Sequence, residues 1–205
     1  MRLNIKTCSI ALFAMLAVSA FMVSGNASAK TYYFGHKKVD SYNYRQDKTW
    51  LSGWNSGKYG CGPVSIATAA SYLYGQKITP ATVGAAAKKM GYNLNSGFSG
   101  SAFKNLASKG LAVKTLSKNA NTIASHVKDG WIVALHAHGG QPFNGGHWVV
   151  VYGGQIKVNS KGNITAKEFC ISDPGHSKYR GKCGSASALL KNMKSNIDVV
   201  AMKRK

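Results

Sequence analysis

Residues 59–75 read YGCGPVSIATAASYLYG. From 62 to 74 the run is small and apolar, with no charged side chain. Its one proline, Pro63, falls where the first turn of a helix tolerates a missing N–H. Gly75 supplies the left-handed stop. A helix with so little polar surface has no solvent face, so this stretch predicts a core helix against which the rest of the chain must pack.

The other elements arrange themselves around it. Thr79 and Pro80 cap and open a second helix that stops at Gly91. Residues 100–109 form a third, stopped by Gly110, and residues 121–129 a fourth, closed by Asp129-Gly130. The stretch 111–117, LAVKTLS, reads as a short strand between them. After residue 130 the pattern changes. WIVALHAH (131–138) is a strand, GGQPFNGG a turn-rich loop, and HWVVVYGG (147–154) a second strand. A hairpin about Lys161-Gly162 follows, then a strand ending near Ser172, a helix over 185–194 and a closing strand over 197–203. Helices first and an antiparallel sheet afterwards predict an α+β fold in two segregated layers. No repeat or linker divides the chain. Residues 30–60 show weak periodicity and read as an extended arm into the first helix, with 30–45 as the candidate N-terminal arm; a pro-segment and a part of the sheet are the alternatives.

The start of the chain bears on compartment. Arg2 and Lys6 precede an apolar run over residues 9–23, and Ala27-Ser28-Ala29 is a small-residue cleavage site. This is a secretory signal pattern over residues 1–29, with cleavage expected after Ala29 and a single domain over 30–205. The apolar run is shorter than the roughly 20 residues of a membrane helix. Cys8 precedes that run, so it is no lipoprotein anchor. An uncleaved anchor is the alternative.

Charge narrows the classes further. The chain has 27 Lys and Arg against six acids, a net charge of +21. Without Arg2 and Lys6 the balance is +19. The cations are scattered lysines rather than a stripe, and no nucleic-acid motif is present, so nucleic acid is not the expected partner. The cations read first as a solvated surface, and one compatible with anionic cell-envelope polymers as partners. A monomer is expected. The acids are Asp40, Asp47, Asp129, Glu168, Asp173 and Asp198, too few to favour a two-carboxylate glycosidase. After processing, Cys61, Cys170 and Cys183 remain, an odd count in an oxidising compartment. Cys170 and Cys183 lie in a Gly-rich, loop-like region and are a candidate disulfide, which leaves Cys61 as the free thiol.

Three stretches carry candidate chemistry. Cys61 stands at a helix start, where orphan N–H groups and the dipole favour an anion, and the thiolate is the nucleophilic form of cysteine. Gly60 and Gly62 permit close approach to it. The plainer alternative is a buried small hydrophobe. His147 opens a strand after Gly145-Gly146, where an imidazole can point into a cleft as a general base. Along that strand Val149 and Val151 share its face, and Trp148, Val150 and Tyr152 take the other. The remaining histidines are His36, His126, His136, His138 and His176. His136 and His138 alternate on one strand and are the nearest rivals; their spacing matches no strong zinc pattern, so no metal is expected. Asp173 ends a strand in Asp-Pro-Gly. That is a common turn former, or a carboxylate that holds an imidazole in the useful tautomer.

The stretches YGCGPVSIATAASYLYGQKITPATVGAAAKKMGY, GGHWVVVYGG and ISDPG resemble papain-like cysteine peptidases of the bacteriocin-leader-processing (double-glycine peptidase-like) type, in a standalone secreted form. The resemblance runs from about Gln46 to the last strand. It implies a papain-like α+β fold, with an N-terminal helical layer packed on an antiparallel β-sheet. It implies Cys61 as nucleophile, His147 as base and then acid, and Asp173 as the residue that orients it, with no cofactor. It also implies an oxyanion site built from the Cys61 N–H and an amide side chain. The family often has glutamine six residues before the cysteine. Asn55 stands there, and Gln46 in RQDKTW is the second candidate; Asn55 is favoured. Leader-processing members are fused to ABC transporters and act on the cytoplasmic side, so leader cleavage does not transfer to a chain with a secretory signal pattern. The expected activity is hydrolysis of a peptide or amide bond through a thioester. The alternatives are a cell-wall peptide hydrolase on the same scaffold, acyl transfer, or a non-catalytic cationic envelope-binding protein with a degenerate peptidase fold.

Overall fold

The computed structural model describes residues 29–36 and 40–205. Residues 1–28, which carry most of the expected signal sequence, lie outside the described residues. Helix α1 spans Ser56–Tyr59 and α2 Cys61–Tyr74. They are followed by α3 (Pro80–Lys89), α4 (Gly100–Ala107), α5 (Ala120–Lys128) and α6 (Ala186–Lys191). The strands are β1 (Lys30–Gly35), β2 (Leu111–Thr115), β3 (Ile132–Gly139), β4 (His147–Val158), β5 (Ile164–Ser172), β6 (Lys182–Ser185) and β7 (Met193–Arg204). They form one antiparallel sheet in the order β2-β7-β3-β4-β5-β6, with β1 paired to β4. The fold is α+β.

Local chemistry explains the helices. Gly75 ends α2 at φ 65°, and Thr79 caps α3 by accepting from the Thr82 N–H. Ser99 and Asn119 cap α4 and α5 in the same way. Helix α2 is buried from Gly62 to Tyr72. Its small side chains let neighbours approach closely: a Cβ at Gly62 would lie 2.8 Å from Phe98 Cβ and 3.6 Å from Trp148 Cδ1 of β4.

The sheet is covered on both faces, which departs from the two-layer expectation. Trp148, Val150 and Tyr152 of β4 join the core built with α2, α3 and α4. Val149 and Val151 join a second core with Ile123 and Val127 of α5 and Leu190 of α6. The physical reason lies in the strands, whose apolar runs are continuous rather than alternating and so need cover on each side.

The N-terminal segment also differs from an arm. Strand β3 pairs with β4 only from His147 to Val151. That leaves the far half of the same edge open, and β1 fills it, from Gly35 opposite Gly153 to Lys30 opposite Val158. A short 3-10 turn, Asp40–Tyr42, follows. Near the other end, the helix expected over 185–194 stops at Lys191, because Met193 already belongs to β7.

Candidate active site

Cys61 is the first residue of α2, half-buried and a free thiol. Helix α1 runs into it through Gly60, whose N–H donates to Ser56 O at 2.7 Å and whose carbonyl accepts from Val64 N–H at 2.9 Å. A Cβ at Gly60 would lie 2.3 Å from Ser56 O, so glycine alone fits this junction. No side chain caps α2, so its first N–H groups are open beside the thiol.

His147 is the first residue of β4 and is buried. Gly145 and Gly146 precede it at φ 76° and 83°, left-handed positions that turn the loop sharply into the strand. His147 Nε2–H donates to Asp173 Oδ1 at 2.7 Å. The other ring nitrogen, Nδ1, is not used by Asp173, and Cys61 is close enough to act on the imidazole's pKa. Burial alone would lower the His147 pKa; the Asp173 hydrogen bond and the bond and charge of Cys61 outweigh it and raise it to about 9.

Asp173 directly follows β5 and is 0% exposed, yet fully satisfied. Oδ1 also accepts from Gly175 N–H at 2.8 Å and His176 N–H at 2.9 Å, and Oδ2 meets His176 Nδ1 at 3.1 Å. Burial pushes its carboxyl up, but the His147 bond and charge and the two backbone donors hold it below its ordinary value. Arg180 ties the loop back by donating to Asp173 O at 3.1 Å and Pro174 O at 3.2 Å. Behind the loop, Cys170 of β5 and Cys183 of β6 are disulfide-bonded.

Cys61, His147 and Asp173 are therefore brought together from α2, β4 and the end of β5. The two amide candidates separate. Asn55 is exposed and caps α1, its Oδ1 accepting from Lys58 N–H at 3.2 Å. Its own N–H donates to Asn95 Oδ1 at 2.7 Å. Gln46 is instead the amide set against the imidazole. A Cβ at Gly175 would lie 3.0 Å from His147 Cε1 and 3.4 Å from Gln46 Cδ. Gln46 N–H donates to Pro174 O at 3.0 Å, and its Nε2 gives one hydrogen to Gly57 O at 2.7 Å. The second Nε2 hydrogen remains available.

His176 is a participant that the sequence reading passed over as a loop residue. Its ring stands perpendicular to that of His147, centroids 5.0 Å apart. His147, Asp173 and His176 offer three potential metal-ligand atoms within 4.8 Å of one another. The same closeness is what their mutual hydrogen bonds require. His136 and His138 line the cleft beside Cys61. His136 faces Asp198 at 3.2 Å and stacks on Trp148.

An α+β fold with a thiol at a helix start, an imidazole opening a sheet strand and a buried carboxylate directly after its neighbour defines a papain-like cysteine peptidase scaffold. Residues 36–195 match the family described as Peptidase_C39 like, and the chain belongs to that family. A search of curated proteins finds no match to it.

Proposed function

We propose that this protein is a secreted bacterial cysteine peptidase that hydrolyses a peptide or amide bond through a thioester. The observation that carries the reading is the His147–Asp173 hydrogen bond beside the free thiol of Cys61, with a proton held on the imidazole. The Cys61 thiolate attacks the carbonyl carbon and the carbonyl π electrons move to oxygen. The N–H groups at the start of α2 and the Gln46 amide are the donors assigned to that developing charge. Collapse breaks the C–N bond, and His147 gives its proton to the departing amine. Water then attacks the thioester. His147 takes its proton, the C–S bond breaks, and acid and thiolate are released. Asp173 keeps the ring oriented throughout.

Secretion is supported by the signal pattern at residues 1–29 and by the Cys170–Cys183 bridge, a bond typical of oxidising compartments. Family membership supports peptidase activity but does not choose among a processing peptidase, a wall-peptide hydrolase and an acyl transferase. The test is mass-mapped alkylation of the secreted protein alongside a peptide screen. Labelling is expected at Cys61 and slower in His147→Ala, with turnover absent in Cys61→Ala. A Cys61 that reacts no faster with His147 than without it overturns the enzyme reading and leaves the cationic envelope-binding protein.

A further inference from the structure

One side of the cleft is lined by polar groups that the catalytic run does not use. It encloses about 310 Å³ next to Cys61, and its basic walls are Lys58, His136 and His138. No carboxylate lines it among the described residues.

These groups are placed by the fold. The His138 ring fills the space that a side chain at Gly146 would take: a Cβ there would lie 2.5 Å from Cε1 and 2.7 Å from Nε2. The glycine before His147 thus also admits a second imidazole to the cleft. His136 lies flat on Trp148, centroids 4.5 Å apart, and Nδ1–H donates to Asp198 Oδ2. Asp198 in turn sits against the N-terminus of α4, where a Cβ at Gly100 would come 1.9 Å from its Oδ1. Burial lowers the His136 pKa against the pull of Asp198, so this ring is neutral at pH 7 and offsets little of the negative charge behind it. His138 meets His136 edge-on at 6.0 Å, and its ring nitrogens have no hydrogen-bond partner among the described residues. The Lys58 ammonium lies over the Tyr59 ring, 5.1 Å from its centroid, with no acid paired to it among the described residues.

We propose that this side of the cleft is a carboxylate subsite, in which Lys58 and His138 receive a negatively charged group of the substrate next to the scissile amide. The inference rests on the peptidase reading and adds a substrate class to it: acidic peptides. An unpaired ammonium and an unpartnered imidazole beside the nucleophile have hydrogen bonds to give, and a carboxylate accepts them with charge assistance. The carboxylate has two sources, an acidic side chain flanking the bond or a free C-terminus.

The first test needs no substrate. Iodoacetate and iodoacetamide differ by one charge at nearly equal size, and both alkylate Cys61. The iodoacetate-to-iodoacetamide rate ratio is expected to exceed that of glutathione by roughly threefold to tenfold, the worth of one part-exposed ion pair. It should collapse in the double variant Lys58→Met/His138→Gln and persist in Lys161→Met, a control in a remote hairpin. About 1 M salt, where screening acts within roughly 3 Å, should narrow it. An unchanged ratio in the double variant overturns the subsite while leaving the peptidase reading intact. A thiol that reacts with neither reagent overturns both. In the second test, matched peptides carry Glu or Gln beside the scissile bond, and a free or amidated C-terminus. A fall in kcat/KM on Glu→Gln identifies the side chain, and a fall on amidation the terminus. Equal turnover of all four overturns the proposal.

Discussion

The proton on His147 is held by two partners, Asp173 and Cys61, and its loss sets the alkaline limit of the site. The folded-state pKa of about 9 stands above the ordinary 6.5. The ion pair's contribution to stability is therefore complete below about pH 6.5 and is lost as pH rises through about 9. The imidazolium must protonate the leaving amine, so kcat/KM is expected to fall with an apparent pKa near 9. Asp173→Asn should move that limb to lower pH, as a pH–rate profile will read. The two amides make a second prediction. Gln46→Ala should cut kcat by roughly 10²–10³, as loss of an oxyanion donor does. Asn55→Ala should leave kcat alone and cost about 1 kcal/mol in a denaturant melt, the worth of a helix cap. Cys61, His147 and Asp173 could be named from sequence because each sits at the end of an element whose boundary is locally encoded by glycine or proline. His176 could not, and Gln46 could not be set above Asn55, because their nearness to His147 depends on how the Asp173 loop folds back, through Pro174 and Arg180.

Among the elements, β6 depends most on a single bond. Its four residues are all exposed, and Cys183 links it to the buried Cys170 near the end of β5. The loop so closed contains Asp173, His176 and Arg180. Replacing both cysteines with serine should cost about 2–4 kcal/mol in thermal or denaturant unfolding. The same change should lower kcat more than it raises KM, because the carboxylate that orients His147 loses its anchored loop. Unaltered kinetics and melting would show that Arg180 alone suffices. Helices α2 to α5 were legible because caps and stops are local signals. Strand β1 was not, since its place depends on β3 ending halfway along β4. The C-terminal helix was read too long for a related reason: pairing of β7 with β3 begins at Met193 and overrides the helical preference of the residues around it.

At the scale of the molecule, one sheet separates two cores, and α2 is the piece with least room for change. Ala67 and Ala69 are fully buried in the core that α2 shares with the sheet and with α3 and α4. Ala67→Leu should destabilise by about 1–3 kcal/mol through overpacking, measurable as a lower denaturation midpoint with an unchanged slope. The α+β class was readable from the order of periodicities. The second helical layer was not, because a continuous apolar run says that both faces are covered without saying by what.

The place of β7 has a consequence in time. Although last in sequence, it lies inside the sheet, with Leu111 of β2 opposite its Arg204 and Ile132 of β3 opposite its Met202. Two strands made much earlier must wait for it before either has its full set of neighbours. Such long-range closure is slow. A chain made N-terminus first holds its thiol long before the imidazole and the carboxylate arrive beside it. Until those later segments are in place the thiol lacks its base, so competence is expected as a late event in folding.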